Sequence, residues 1–341
     1  MHNIKEFSFK ELEELVVSWG QPRFRAGQIF SWIYQRAAVD FSQMSDLPQD
    51  LRKKLQENFS FSLIKIAASL ESRDGTQKHL FSLNDNNLIE AVSIPVEKRL
   101  TGCVSSQAGC KFACRFCASG VAGFRRNLSS AEIIDQVLYL KNHSPDKLTH
   151  VVFMGTGEPL DNYENVLKAI RIINCPQGLN IGARRITIST SGVIPGLKQL
   201  AKEGLQVELS VSLHAADNRT RDLIMPINRK YPLQNLIKAC SDYIRETNRQ
   251  VTFEYILIAG LNSNLQSALN LGKILKGMNC KVNLIPVNPV EELKVRPPEK
   301  KEILSFKTVL LKSGINVTLR RERGKDINAA CGQLRLKYEK K

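Results

Sequence analysis

From about residue 100 onward the chain repeats one pattern: a short apolar run, an amphipathic stretch of helical period, then another apolar run. Strand-like segments fall near residues 100–104, 149–153, 185–189, 207–213, 251–258 and 281–285. Alternation of this kind predicts a parallel sheet with helices packed on it. Six β/α units are fewer than the eight of a closed barrel, so a partial (β/α)6 TIM-like barrel and an open sheet both satisfy the pattern. In either, chemistry is expected at the C-terminal ends of the strands. Ahead of this core, residues 9–19, 26–34 and 47–58 carry apolar positions at helical spacing, the last behind Asp46 as a cap, and predict a small helical accessory domain over residues 1–60. Residues 63–70, 78–83 and 88–95 read as strands separated by the turn formers Arg73-Asp74-Gly75 and 84–87, giving a β-rich connecting region at 61–95. The core then runs over 96–326 and a C-terminal segment over 327–341, whose basic end is expected to be solvated.

With 341 residues, 43% of them hydrophobic, the chain can bury a substantial core. No signal-peptide pattern or run of 18 uncharged apolar residues is present, so a soluble cytoplasmic protein without a membrane partner is expected, with a monomer as the default. Forty-nine Lys and Arg against 33 Asp and Glu leave a net charge of +16, which favours a polyanionic partner, nucleic acid above all. Eight cysteines in a reducing compartment argue against a disulfide framework and for metal binding or thiol chemistry.

Cys110, Cys114 and Cys117 form a CxxxCxxC loop directly after the first core strand and before a helix that Ser129 and Glu132 would cap. Three thiolates on one loop suit an iron-sulfur cube with one iron left free, which S-adenosylmethionine (SAM) can chelate through its amino and carboxylate groups. A structural zinc site would need a fourth ligand in a second CxxC or CxxH unit, and none is nearby. At the end of the next strand, Met154-Gly155-Thr156-Gly157-Glu158-Pro159 offers glycines for close approach of backbone to a ligand and a carboxylate for an ammonium group.

These features, with Cys103-Val104-Ser105-Ser106-Gln107, Ser189-Thr190-Ser191-Gly192, Ser212-Leu213-His214-Ala215, Asn283-Leu284-Ile285-Pro286 leading to Asn288-Pro289, and the run from Asp326 to Leu334, give the chain its family likeness. It resembles the radical SAM superfamily generally and, over nearly its whole length, the RlmN and Cfr family of RNA adenine methyltransferases. The segment from Gly20 to Gln28 looks like the RlmN branch. The resemblance implies a radical SAM barrel with one 4Fe-4S cluster on Cys110, Cys114 and Cys117. It implies SAM, two molecules per turnover, held by Gly157, Glu158, Ser189, Ser212, Leu213, His214 and Asn288. Taken alone, His214 could equally be a satisfied core histidine.

Carbon 2 of adenine is electrophilic, so direct methyl displacement onto it is poor chemistry. The resemblance implies that Cys331 instead carries the methyl group as S-methylcysteine. Glu90 then removes the ring proton, and Cys103 attacks the Cys331 sulfur to leave a Cys103–Cys331 disulfide for a thioredoxin-like reductant. Without the family pattern Cys331 would be an inert buried thiol and Glu90 a solvated carboxylate. Cys175, Cys240 and Cys280 match no motif and read as small hydrophobes. The implied substrate is 23S rRNA, with the tRNA adenosine 3′ of the anticodon as a second, and a flavodoxin-type or other low-potential protein as electron donor. Such a base must be unpaired or flipped out. Arg23, Arg25, Arg125 and Arg126 are candidate phosphate contacts or solvated charges. Methylation at carbon 8 by a Cfr-like enzyme, a radical SAM enzyme acting on a small molecule or protein, and a non-catalytic zinc RNA-binding protein are the competing readings.

Overall fold

The computed structural model describes residues 2–61, 64–121, 123–288, 295–320 and 324–327. The N-terminal module holds α1 (Phe9–Ser18), α2 (Phe24–Tyr34) and α3 (Gln49–Asn58), closed by the short parallel pair β1 (His2–Asn3) and β2 (Phe59–Ser60). A reciprocal Ser8/Glu11 capping box starts α1. Asp46 does not cap α3, which begins after Pro48; its Oδ1 instead accepts the Trp32 indole N–H at 2.6 Å. The module docks through its aromatic core and through Lys5, which forms a buried ion pair with Asp135.

Three antiparallel strands follow, β3 (Lys65–Glu71), β4 (Gln77–Ser82) and β5 (Leu88–Val96), and β6 (Arg99–Cys103) pairs antiparallel with β5. A second small pair, β7 (Gln107–Gly109) and β8 (Phe124–Asn127), flanks α4 (Ala118–Val121). The β/α alternation then runs α5 (Ser130–His143), β9 (Leu148–Phe153), α6 (Tyr163–Asn174), β10 (Ile186–Thr190), α7 (Ile194–Lys202), β11 (Glu208–Ser212), α8 (Asn218–Ile224), α9 (Leu233–Thr247), β12 (Val251–Leu257), α10 (Leu265–Leu275), β13 (Cys280–Pro286), α11 (Lys300–Lys312) and β14 (Asn316–Leu319).

All ten strands from β3 to β6 and β9 to β14 form one sheet in strictly sequential order, with β3 and β14 at its edges. β6 and β9 to β14 are parallel. Sequential order without reversal, joined by right-handed crossovers, puts the crossover helices on one face and leaves the other concave and uncovered. This is the partial-barrel alternative, not the doubly wound sheet. Two features extend the sequence expectation: β14 adds a seventh parallel strand, and β3 to β5 continue the same sheet. Among the described residues no helix is long and apolar enough to cross a membrane.

Candidate active site

The concave face encloses a cavity of about 1180 Å³. Strand alternation supplies its wall: Cys103 and Thr101 from β6, Val152 from β9, Thr187 from β10, Ser210 from β11, Glu254 from β12 and Asn283 from β13 all point inward. Glu90 and Val92 enter from the antiparallel extension, and Phe116, Cys117, Met154, Gly155 and Asn288 line the end where the strands finish. The far wall is polar and internally bonded. Asn283 Nδ2 donates to Glu254 Oε2 at 2.8 Å, and Thr318 Oγ1 donates to Asn283 Oδ1 at 2.9 Å.

The cysteine loop is held at that end by backbone bonds. Cys110 N–H donates to Gly123 O at 3.1 Å, Cys117 N–H to Cys114 O at 3.0 Å, and Arg115 N–H to Ile224 O at 2.9 Å, which ties the loop to α8. Only glycine fits at 109: its φ is +81° and a Cβ would lie 1.8 Å from Gly123 O. Burial pushes the Cys110 thiol up to about 12, and the neighbouring Cys117, Glu158 and Asp161 charges add to the rise. Cys114 is raised well above the ordinary thiol value, again by burial first and then by Cys117 and Cys110. Three thiols that oppose one another's ionisation need added positive charge before all can be thiolates. A three-cysteine iron-sulfur cluster supplies that charge, so the donor set fits one.

The residues expected to hold SAM divide into two groups. Asn288 lines the cavity. Ser189 and Ser212 are half-buried and stand one step beyond the cavity-lining Thr187 and Ser210 on their strands, toward the cysteine end. The others are engaged within the protein. Glu158 is buried, its Oε2 accepting from Ser191 N (2.6 Å) and Oγ (2.7 Å) and its Oε1 from Leu160 N (3.0 Å). The glycines around it serve close packing on the preceding strand end: a Cβ at Gly155 would lie 2.7 Å from Val104 C, and one at Gly157 2.7 Å from Gln107 N. His214 has a left-handed backbone (φ +57°), and its Nδ1 accepts the Ile256 N–H at 3.0 Å, so its remaining proton sits on Nε2. Burial, helped by Arg221, holds it down to about 3, and it is a neutral imidazole with Phe116 edge-on at 4.7 Å. Leu213 is fully buried.

Cys103 and Glu90 face the same cavity. Glu90 Oε2 lies 3.0 Å from Lys78 Nζ, an ion pair with both side chains buried, and Glu90 O accepts from Ser105 Oγ at 2.6 Å. Cys331 lies outside the described residues. Cys240 and Cys280 are buried and Cys175 is half-buried, at a distance from this wall in the fold. Of the candidate phosphate contacts, Arg126 is committed internally, forked onto Glu132 (2.7 and 2.8 Å) and paired with Asp85. Arg23 and Arg125 are exposed, while Arg25 bonds Gln28 and the Asp46 carbonyl.

Sequence reasoning missed Arg221. Fully buried on α8, it donates to the carbonyls of Ser191 (2.8 Å), Ser212 (3.1 Å) and Leu213 (3.0 Å) and to Asn228 Oδ1 (3.1 Å), binding the ends of β10 and β11 together beside the cysteine loop. No local signal separates such a guanidinium from a solvated one. Lys78 was equally silent.

A sequential α/β sheet with a three-cysteine loop at the strand C-terminal ends defines a radical SAM protein, and the radical SAM superfamily model matches residues 104–271. Residues 2–60 match the ribosomal RNA large subunit methyltransferase N-terminal domain. The chain is 48% identical to the "Probable dual-specificity RNA methyltransferase RlmN" of Caldanaerobacter subterraneus, over 100% of this chain and 99% of that protein. It is 46% identical to the similarly named protein of Clostridium novyi, over 99% of each. A radical SAM methyltransferase from Sphaerobacter thermophilus superposes with a TM-score of 0.92 at 42% identity, covering 98% of this chain and 99% of that one. The chain belongs to the RlmN family.

Proposed function

We propose that this protein is a cytoplasmic enzyme that methylates carbon 2 of an adenine in 23S rRNA, and of the tRNA adenosine 3′ of the anticodon, with Cys331 as methyl carrier. The observation that carries the reading is one cavity lined by Glu90, Cys103 and Cys117, in a chain that matches RlmN relatives end to end. Its volume of about 1180 Å³ exceeds the roughly 300–1,000 Å³ of a site for one drug-sized ligand, which leaves room for a base beside a cofactor.

Cys110, Cys114 and Cys117 would hold the cluster, and Asn288, Ser189 and Ser212 would contact SAM, with Gly157, Glu158, Leu213 and His214 shaping the strand ends around it. One cluster and two SAM molecules per turnover would supply the methyl group and the radical chemistry that activates it. The protein's own part is positional and protonic. Glu90, held by Lys78, accepts the proton from carbon 2 of the methylated ring. Cys103 attacks the Cys331 sulfur, so that the Cys331–carbon bond breaks, the product leaves and a Cys103–Cys331 disulfide remains. A thioredoxin-like dithiol reduces that disulfide, and a flavodoxin-type donor supplies the low-potential electron.

The test is to reconstitute the cluster anaerobically, add SAM, reductant and unmodified 23S RNA fragment, and identify the nucleoside by mass spectrometry against isomer standards. 2-Methyladenosine from the wild type and none from Cys331→Ala is the expected result. 8-Methyladenosine would move the reading to Cfr-like chemistry, and SAM cleavage without RNA methylation would refute the substrate.

A further inference from the structure

The turn between β3 and β4 is tied to a segment some 250 residues further along the chain. Within the turn, Gly75 N–H donates to Ser72 O at 2.9 Å and Ser72 N–H to Thr76 O at 2.8 Å. Outward, Ser72 Oγ donates to Asp326 Oδ1 at 2.5 Å and Arg73 N–H to Asp326 Oδ2 at 3.2 Å. In return, Gly324 N–H donates to Asp74 Oδ2 at 3.1 Å. Each segment thus presents a carboxylate to donors of the other. Slight burial opposes ionisation of Asp74, but the Thr76 and Gly324 donors prevail and hold it down to about 2, so its half of the clasp stays charged in any physiological medium.

Asp74 and Thr76 also line the cavity that Glu90 and Cys103 share, so the clasp sits on the cavity wall. Cys331 is four residues past Ile327, and four extended residues span at most about 14 Å. Without the clasp, the preceding fixed point is Arg320, whose N–H donates to Leu284 O at 2.9 Å, eleven residues before Cys331.

We propose that Asp326, Ser72 and Asp74 are positioning residues that anchor the C-terminal segment at the cavity and hold Cys331 at high effective concentration beside Cys103. This rests on the reading of Cys331 as the methyl carrier. Shortening a tether by nearly threefold raises the effective concentration at its end by about fivefold, because that concentration falls as the −3/2 power of length.

The test uses the full chain with its cluster, equilibrated anaerobically in reduced and oxidised glutathione. Each Cys103–Cys331 disulfide formed releases two protons and reduces one glutathione disulfide to two thiols, and peptide mass spectrometry gives the equilibrium constant. Asp326→Ala should lower it about fivefold. Ser72→Ala should lower it less, and the double variant no more than Asp326→Ala alone. Asp326→Asn, which keeps an acceptor for Ser72, should fall between. Iron content and SAM cleavage should stay at wild-type levels. An unchanged constant in Asp326→Ala, additive effects in the double variant, or no such disulfide in the wild type would overturn the proposal. If the disulfide responds as expected but Cys331 never acquires a methyl group from SAM, the carrier reading fails and the clasp stands.

Discussion

Cys103 ends β6 on the cavity wall, and burial pushes its pKa up to about 11, with Arg320, the Met154 backbone and Lys78 pulling it back and Glu90 opposing them. The nucleophile is the thiolate, and an exposed cysteine titrates near 8.5. At pH 8 an exposed thiol is about one-quarter ionised and Cys103 about one part in a thousand, so Cys103 should alkylate roughly two-hundredfold more slowly. Slow access alone would also lower the rate, but it would not change the shape of the pH profile. In the cluster-loaded chain, the rate of iodoacetamide labelling at Cys103, followed by peptide mass, should climb about tenfold per pH unit from 7 to 10 without levelling. Arg320→Gln removes the larger of the two cationic influences at an exposed position and should lower the rate further at every pH in that range. In turnover, the step that needs the Cys103 thiolate should quicken with pH over the same range. A plateau below pH 9, or a profile unmoved by Arg320→Gln, would refute the account of this thiol.

The buried Lys5–Asp135 pair should cost more than it contributes. Burial raises Asp135 to about 6 despite Lys5, so its share of stability is present below the unfolded carboxylate range near 4 and lost as pH rises through about 6; burial also lowers Lys5. Lys5→Met alone should therefore lose about 3–5 kcal/mol at pH 7.5, while Lys5→Met with Asp135→Leu should melt at or above the wild type, and a double variant weaker than the single would sink the argument. For the cysteine loop, Gly109→Ala should abolish most iron uptake on reconstitution, because its Cβ would strike Gly123 O, whereas Gly260→Ala, also at positive φ but with open space around it, should load normally; equal iron in both would refute the steric reading.

What could be read from the sequence was whatever is local. Helical and strand periods recover α1, α2 and all six expected core strands to within one or two residues, since each is set by the alternation of its own side chains. The three thiols, spaced for one loop, were equally plain. β14 was not, because four residues with only Val317 buried carry no strand period. Arg221, Lys78 and Asp326 escaped for a different reason: each takes its meaning from a partner or carbonyl supplied by another element, up to 254 residues away. Asp46 misled because a capping residue and a tertiary acceptor look alike until Pro48 fixes where the helix starts.

The antiparallel extension shows why such a distinction matters for function. By sequence, residues 61–95 are a connector, since their turns and alternation say nothing about which sheet they join. In the fold, β5 pairs with β6 so that Val92 faces Cys103, which carries Glu90 onto the cavity wall two residues along the same strand face. β4 then places Lys78 against Glu90, and the β3–β4 turn receives Asp326. A six-strand core alone would hold the cysteine loop but would have an open edge where Glu90 now stands. The strands that complete the wall are therefore the ones that supply the carboxylate, its cation and the anchor for the C-terminal segment. A one-residue slip in the β5–β6 register would turn Glu90 away from the cavity and leave the cysteine loop untouched.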